Sequence, residues 1–367
     1  MAEAQNRITQ ADIAPTIISI DAMGGDSGVK AVIEGMQKSA LINPDIRYIV
    51  HGDAAEINHC LNLKPELAAI TNVNPTEDVI SMDDKPSAAL RAGKKSSMWA
   101  AIAALKNNEA KATVSCGNTG ALMAMSTIQL RKAPGVARPA IAVLWPSTNP
   151  QGYNVLLDAG ADIKADAQDL LKYAIMGASY ARNGLGLRQP RVGLLNVGTE
   201  EFKGHAELHD AAKLIDTVAT SSDFQFVGFV EGSDISSSGV DIIVTDGFTG
   251  NIALKTGEGT ARQVSDLIKA AFTRSLRTRL SALFVFASLR KVKDRIDPRK
   301  VNGGVFLGLN GTVVKSHGGA DATGISAAIK LAFSLAQNDF SEKLTARVAS
   351  GLAASKDVLS NIDEGST

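Results

Sequence analysis

At 367 residues the chain has room for one large α/β domain or two lobes, and its 38 basic and 38 acidic side chains cancel, which argues against a duplex nucleic-acid binder. Two cysteines, Cys60 and Cys116, make neither a disulfide framework nor a CxxC metal pattern and suit a reducing cytoplasm. The polar first fifteen residues lack the layout of a signal peptide, and no apolar run approaches the ~20 residues that span a bilayer, so a soluble protein is expected.

Thr16–Asp21 has strand character, and Ser27–Leu41 repeats apolar residues at helical spacing (Val29, Ile33, Met36, Ala40). Tyr48–Val50 is strand-like again, with a helical Ala54–Leu61 behind it. The rhythm returns in Ala112–Cys116 and Thr119–Leu130, in Val192–Val197 and His205–Val218, and in Ile242–Val244 and Ile252–Phe272. Such alternation predicts an α/β fold with a mostly parallel sheet sandwiched between helices. Arg138–Trp145 and Asn154–Asp158 follow one another without a helix, so this part of the sheet is expected to be antiparallel or a hairpin extension. Val305–Lys315 should bend at Asn310-Gly311, the strongest short hairpin signal. No repeat or low-complexity linker divides the chain, which predicts a single domain over 16–353 with tails at 1–15 and 354–367.

A protruding helical appendage is expected at about 262–298. Val264, Leu267, Ile268, Ala271, Phe272, Leu276, Leu280, Leu283, Phe284 and Ala287 recur at helical spacing, and Arg274, Arg277, Arg279, Arg290, Lys291, Lys293 and Arg295 flank the short apolar block Ala282–Ala287. A basic amphipathic helix with an apolar tip suits a membrane interface. It equally suits a helix pair packed on the core or on a second subunit.

Chemistry-bearing residues gather at strand ends, where open α/β sheets place their ligands. In Asp21-Ala22-Met23-Gly24-Gly25-Asp26 the glycines let backbone approach a ligand, although two carboxylates repel phosphate unless they bind a cation or orient an amine; a tight turn with Asp26 as helix cap is the alternative reading. Ser115-Cys116-Gly117-Asn118-Thr119-Gly120 leads into a helix whose first amides, with Asn118 and Thr119, suit an anion or a developing oxyanion. Cys116 is either a thiol nucleophile or a small buried thiol. In Asn196-Val197-Gly198-Thr199-Glu200-Glu201-Phe202-Lys203-Gly204, Lys203 is placed to meet an anion or to lie on the surface. His205 and His209 imitate a zinc helix, but Ala206 stands where that motif needs glutamate, so no metal is expected. Lys315-Ser316-His317-Gly318-Gly319 ends a strand with a cation, a hydroxyl and an imidazole. His317 reads as a catalytic group or as a loop anchor. Neither G-x-G-x-x-G nor the Walker A pattern occurs, so no nucleotide cofactor is called for.

Taken together, Asp21-Ala22-Met23-Gly24-Gly25-Asp26, Cys116-Gly117-Asn118-Thr119-Gly120-Ala121, Leu195 to Glu201, Asp246-Gly247-Phe248-Thr249-Gly250-Asn251 and Gly308 to Gly318 resemble the bacterial phosphate acyltransferases of phospholipid synthesis, from about residue 16 to 340. Cys116 departs from that pattern, which usually has alanine, and so does Asn302-Gly303-Gly304-Val305. The resemblance implies the phosphate acetyltransferase and isocitrate dehydrogenase type of fold. It implies transfer of a fatty acyl group from acyl carrier protein to inorganic phosphate, yielding acyl phosphate for a membrane glycerol-3-phosphate acyltransferase. It also implies a cytoplasmic homodimer associated with the inner membrane surface.

On that basis phosphate is expected at Asn118, Thr119 and Gly120 with Lys315, Ser316 and Lys203. Asp21, Gly24, Gly25, Asp26, Asn196, Gly198 and Thr199 are expected around it. His317 or Asn251 would face the thioester oxygen, and Asp246 or Asp321 would orient a cation or accept a proton. Short-chain acyl-coenzyme A transfer to phosphate, and a non-catalytic phosphate or acyl-phosphate sensor, are the competing readings.

Overall fold

The computed structural model describes residues 15–200, 202–273 and 303–364. Its elements in chain order are β1 (Thr16–Asp21), α1 (Gly28–Ala40), β2 (Ile46–Gly52), α2 (Ala54–Asn62), α3 (Pro65–Ala68), β3 (Thr71–Pro75), α4 (Pro86–Ala92), α5 (Ser97–Lys106), β4 (Ala112–Ser115), α6 (Thr119–Leu130), β5 (Ala140–Pro146) and β6 (Tyr153–Leu157). They continue with α7 (Ala167–Leu185), β7 (Arg191–Leu195), α8 (Ala206–Ala219), β8 (Gln225–Val230), β9 (Ile242–Val244), α9 (Gly247–Thr273), β10 (Gly304–Leu307), β11 (Thr312–Lys315), α10 (Ala322–Gln337) and α11 (Phe340–Glu364).

All the strands join one 11-stranded sheet in the order β3-β2-β1-β4-β11-β10-β5-β6-β9-β7-β8. The first five are mutually parallel. Asn310-Gly311 turns β10 back against β11 as the sequence predicts, β10 is antiparallel to β5, and β5 to β6. Three antiparallel ladders in series are an odd number of reversals. Strands β6, β9, β7 and β8 therefore run opposite to β1, β4 and β11.

Helices cover both faces, because successive strand residues point to opposite sides. Val314 joins the core of Ile18, Ile20, Ile33, Tyr173, Ile215, Ile329 and Val348, under α1, α7, α8, α10 and α11. Its neighbour Val313 joins Met98, Ile102, Leu122, Met125, Ile141 and Phe306, under α5 and α6. Helix α11 continues to Glu364, through what the sequence reads as a tail from 354. Helix α9 leaves the sheet early: only Gly247 and Gly250 are buried among its residues to Thr273. Residues 262–273 of the expected appendage lie in this helix; residues 274–298, with most of its basic side chains, lie outside the described residues.

Candidate active site

Three of the five glycine-rich loops meet at the ends of adjacent parallel strands β1, β4 and β11. The Gly24 and Gly117 backbones touch: a Cβ on Gly24 would lie 2.7 Å from Gly117 Cα and 2.6 Å from Asp21 Oδ2. Asp26 N–H donates to the Gly318 carbonyl at 2.9 Å, and Ser316 N–H to that of Ser115 at 2.9 Å. Lys315, 8% exposed, spans the seam by donating from Nζ to the Cys116 carbonyl at 3.1 Å and to the carbonyl of Ser316. Burial lowers its pKa to about 8 against the pull of Asp21 and Asp26, and Lys255 of α9 adds to the lowering.

Some residues expected to touch substrate do other work. Asp21 is 1% exposed and its carboxylate is the hub of the loops: Oδ1 accepts from Ser97 Oγ and Oδ2 from Ser115 Oγ, both at 2.6 Å. Ser115 Oγ in turn accepts from Gly117 N–H at 3.0 Å. Burial pushes the Asp21 carboxyl above its ordinary pKa. Ser316 is wholly buried and hydrogen-bonds the Cys116 thiol, whose pKa burial raises; Cys116 is thus the buried thiol of the two readings, not an activated nucleophile. Asn118 caps α6 by accepting from Ala121 N–H at 3.0 Å, while Nδ2 donates to the Met82 and Asp84 carbonyls at 2.8 and 2.9 Å and to Ser81 at 3.4 Å. Asp321 Oδ1 caps α10, accepting from Thr323 and Gly324 N–H at 3.0 Å. Asp26 is exposed beside Gly318 rather than capping α1, whose N-cap is Ser27.

Thr119 and Gly120 open α6 at the rim, and His317 is exposed on the neighbouring loop. Gly319 N–H donates to His317 Nδ1 at 3.2 Å, which fixes the ring on its loop and leaves Nε2 as the ring's donor nitrogen.

The other two loops follow reversed strands. After β7, Asn196 holds its own turn, with Nδ2 on the Lys203 carbonyl at 2.9 Å and Oδ1 on Val197 N–H at 2.8 Å. Gly198 lies against Lys203 and Glu200, which form a largely exposed ion pair at 2.9 Å, and Thr199 is exposed. After β9, Asp246 Oδ1 caps the start of α9 by accepting from Thr249 N–H at 2.7 Å. Helix α9 links the groups. Asn251 packs over Gly160, Lys255 lies one turn further on the same side of the helix, and Gly257 abuts the Trp145 ring at the end of β5.

Asp158 has no counterpart in the sequence reading. It is buried and accepts from Ile141, Gly160, Ala161 and Asp162 N–H at 2.8–3.1 Å, fixing the loop against which Gly247 and Gly250 of α9 are seated. A single aspartate after a strand is no signal in itself. Ser97 and Met82 were equally silent, one lying on α5 and the other in a polar connection. His205 and His209 are ordinary: one is the N-cap of α8, and the other lies edge-on to Phe229 with ring centroids 5.3 Å apart.

Comparison with known proteins places the chain in a family. Residues 16–343 match the fatty acid synthesis protein family. A phosphate acyltransferase of Paracoccus denitrificans is 61% identical over 92% of this chain and 91% of its own, and one of Jannaschia sp. is 59% identical over 95% of each. Among solved structures, a phosphotransacetylase from Streptococcus pyogenes superposes with a TM-score of 0.60 at 14% identity, over 88% of this chain and 94% of that one. EutD phosphotransacetylase from Staphylococcus aureus gives 0.55 at 14% identity over the same shares. At such identity these two establish the shared fold. The chain belongs to the fatty acid synthesis protein family, among its phosphate acyltransferases, and is an acyltransferase.

Proposed function

We propose that this member of the family transfers a fatty acyl group from an acyl-carrier-protein thioester to inorganic phosphate, giving acyl phosphate for phospholipid synthesis. An oxygen of hydrogen phosphate attacks the thioester carbonyl carbon, the C–S bond breaks, and the departing carrier thiolate takes up the proton that the phosphate gives up, leaving as its thiol. Phosphate is already anionic at neutral pH, so the site has to desolvate it, align it and stabilise the oxyanion rather than create a nucleophile.

The observation that carries this reading is the buried amino group of Lys315, held on the Cys116 carbonyl in the turn that leads from β4 into α6. A dianion seated there gains both the lysine charge and the positive end of a helix. Thr119 and Gly120 supply the helix start, and the Nε2–H of His317 faces the thioester oxygen. Asn251 and Lys255 of α9 form the opposite wall. The Lys203 and Asp246 loops shape its outer part. The enzyme works in the cytoplasm as a homodimer touching the inner membrane surface, and its product passes to a membrane glycerol-3-phosphate acyltransferase. Among the described residues no helix is long and apolar enough to cross a membrane.

The test is phosphate-dependent release of carrier thiol from palmitoyl acyl carrier protein, run beside acetyl-coenzyme A. Lys315→Ala and His317→Ala should each lose more than about tenfold in kcat/KM with folding intact, since one oxyanion donor is worth roughly 10²–10³. Faster turnover of acetyl-coenzyme A, or carrier-thioester cleavage that ignores phosphate, would refute the reading.

A further inference from the structure

Residues 81–86 cross the mouth of the converging loops without belonging to any of them. Both ends of the crossing are anchored: Ile80 before it and Ala89 after it are buried in the core beneath α5 and α6. The turn braces itself, with Ser81 N–H donating to Asp84 Oδ2 at 2.8 Å and Asp83 N–H to Ser81 Oγ at 3.3 Å. It is then seated on two site loops at once. A Cβ on Gly120 would meet Pro86 Cγ at 2.7 Å, and one on Gly318 would meet Met82 Cε at 2.8 Å, Asp26 Oδ2 at 3.2 Å and the Cys116 carbonyl oxygen at 3.6 Å. These two glycines are therefore required for the seating of a strap. Its fastening is the single Asn118 amide on three carbonyls.

We propose that this strap forms the acyl-side wall of the active site, with Asn118 as its positioning residue and Met82 as a residue selecting for a long acyl chain. The inference rests on the proposed acyl transfer to phosphate. Met82 is 41% exposed although its thioether end reaches the Lys315–Gly319 loop. A flexible apolar side chain, half in contact and half open beside a buried cation, offers a fatty chain a surface while the charged head is held below. The polar neighbours Ser81, Asp83, Asp84 and Lys85 offer none. Asn118 acts at one remove: its oxygen sets the start of α6, its nitrogen sets Met82, and the anion seat and the acyl wall are thereby held in register.

The two roles of Asn118 separate in Asn118→Ser, whose hydroxyl still caps α6 but cannot hold the strap carbonyls. Initial rates with palmitoyl and butyryl thioesters of acyl carrier protein would be compared in Asn118→Ser, Met82→Ala, Met82→Leu and Lys315→Ala. Thermal unfolding would confirm that each variant is folded. Met82→Ala and Asn118→Ser should each lower the palmitoyl-to-butyryl ratio of kcat/KM by roughly tenfold, the scale on which apolar pockets discriminate. Met82→Leu should restore the ratio. If Met82→Ala and Asn118→Ser leave the ratio unchanged, or slow both thioesters equally, while Lys315→Ala abolishes both, the strap is scaffolding and the site reading stands. If Lys315→Ala turns over both thioesters like the parent enzyme, the site is elsewhere and the strap proposal goes with it.

Discussion

The amino group of Lys315 answers chiefly to burial, which holds its pKa near 8, while Lys255 across the site adds a like charge. Below that pH it is an ammonium that attracts phosphate; above it the attraction disappears. On the proposed mechanism kcat/KM for phosphate should fall as pH rises through about 8. Lys255→Met should move that limb upward, because a charge that disfavours the ammonium has been removed; an unmoved limb would detach it from Lys315. The stability sign follows from the same shift. The unfolded lysine, near 10.5, holds its proton more tightly than the folded one, so between about 8 and 10.5 this group's contribution to stability increases with pH. Lys315 stands out in the sequence as a cation beside glycines at a strand end, and the fold buries it where three loops meet. Asp21 and Ser316 carry no such mark. A carboxylate or hydroxyl after a strand looks the same whether it meets a ligand or, as here, the buried Ser97, Ser115 and Cys116.

At the scale of elements, several strands and helices were readable from their apolar pattern: β1, α1, β4, α6, β7, α8 and the β10–β11 turn stand close to where the pattern puts them. Helices α4, α5, α7, α10 and α11 were not picked out. Ser97–Lys106 and Ala322–Gln337 are alanine-rich and buried around most of their circumference, so no polar face marks the repeat. The β5–β6 and β10–β11 reversals were readable too, but the β10–β5 ladder was hidden, because these partners lie far apart in sequence. Helix caps are where element and site are most easily confused, and Asp321 is the clearest instance. If it serves only to cap α10, Asp321→Asn should retain both stability and turnover, since asparagine caps equally well, whereas Asp321→Ala should cost about 1 kcal/mol. Measuring denaturation midpoints alongside kcat decides it. A large fall in kcat for the asparagine variant would restore the proton-accepting role read from the sequence.

For the molecule as a whole, the reversal of the sheet between β11 and β6 leaves the two halves joined across the site by α9. That helix is seated at a few points. Close beneath it, a Cβ on Gly250 would lie 1.9 Å from the Asp158 carbonyl oxygen; higher up, one on Gly257 would lie 2.3 Å from the Trp145 ring; two residues on, Gly259 has nothing within 4 Å. The contrast makes a controlled experiment. Gly259→Ala adds only helix propensity and should stabilise by roughly 0.5–1 kcal/mol with turnover unchanged. Gly257→Ala gains the same propensity but drives α9 off Trp145, whose Nε1 is tied to Ser236 Oγ at 2.8 Å and so resists yielding. Overpacking of this kind costs about 1–3 kcal/mol, more than the propensity returns. Because Lys255 is two residues from the clash, KM for phosphate should rise in Gly257→Ala and not in Gly259→Ala. Equal behaviour of the two variants in thermal unfolding and in phosphate KM would mean that α9 does not set the distance between Lys255 and Lys315, and that the opposite wall of the site is built by other residues.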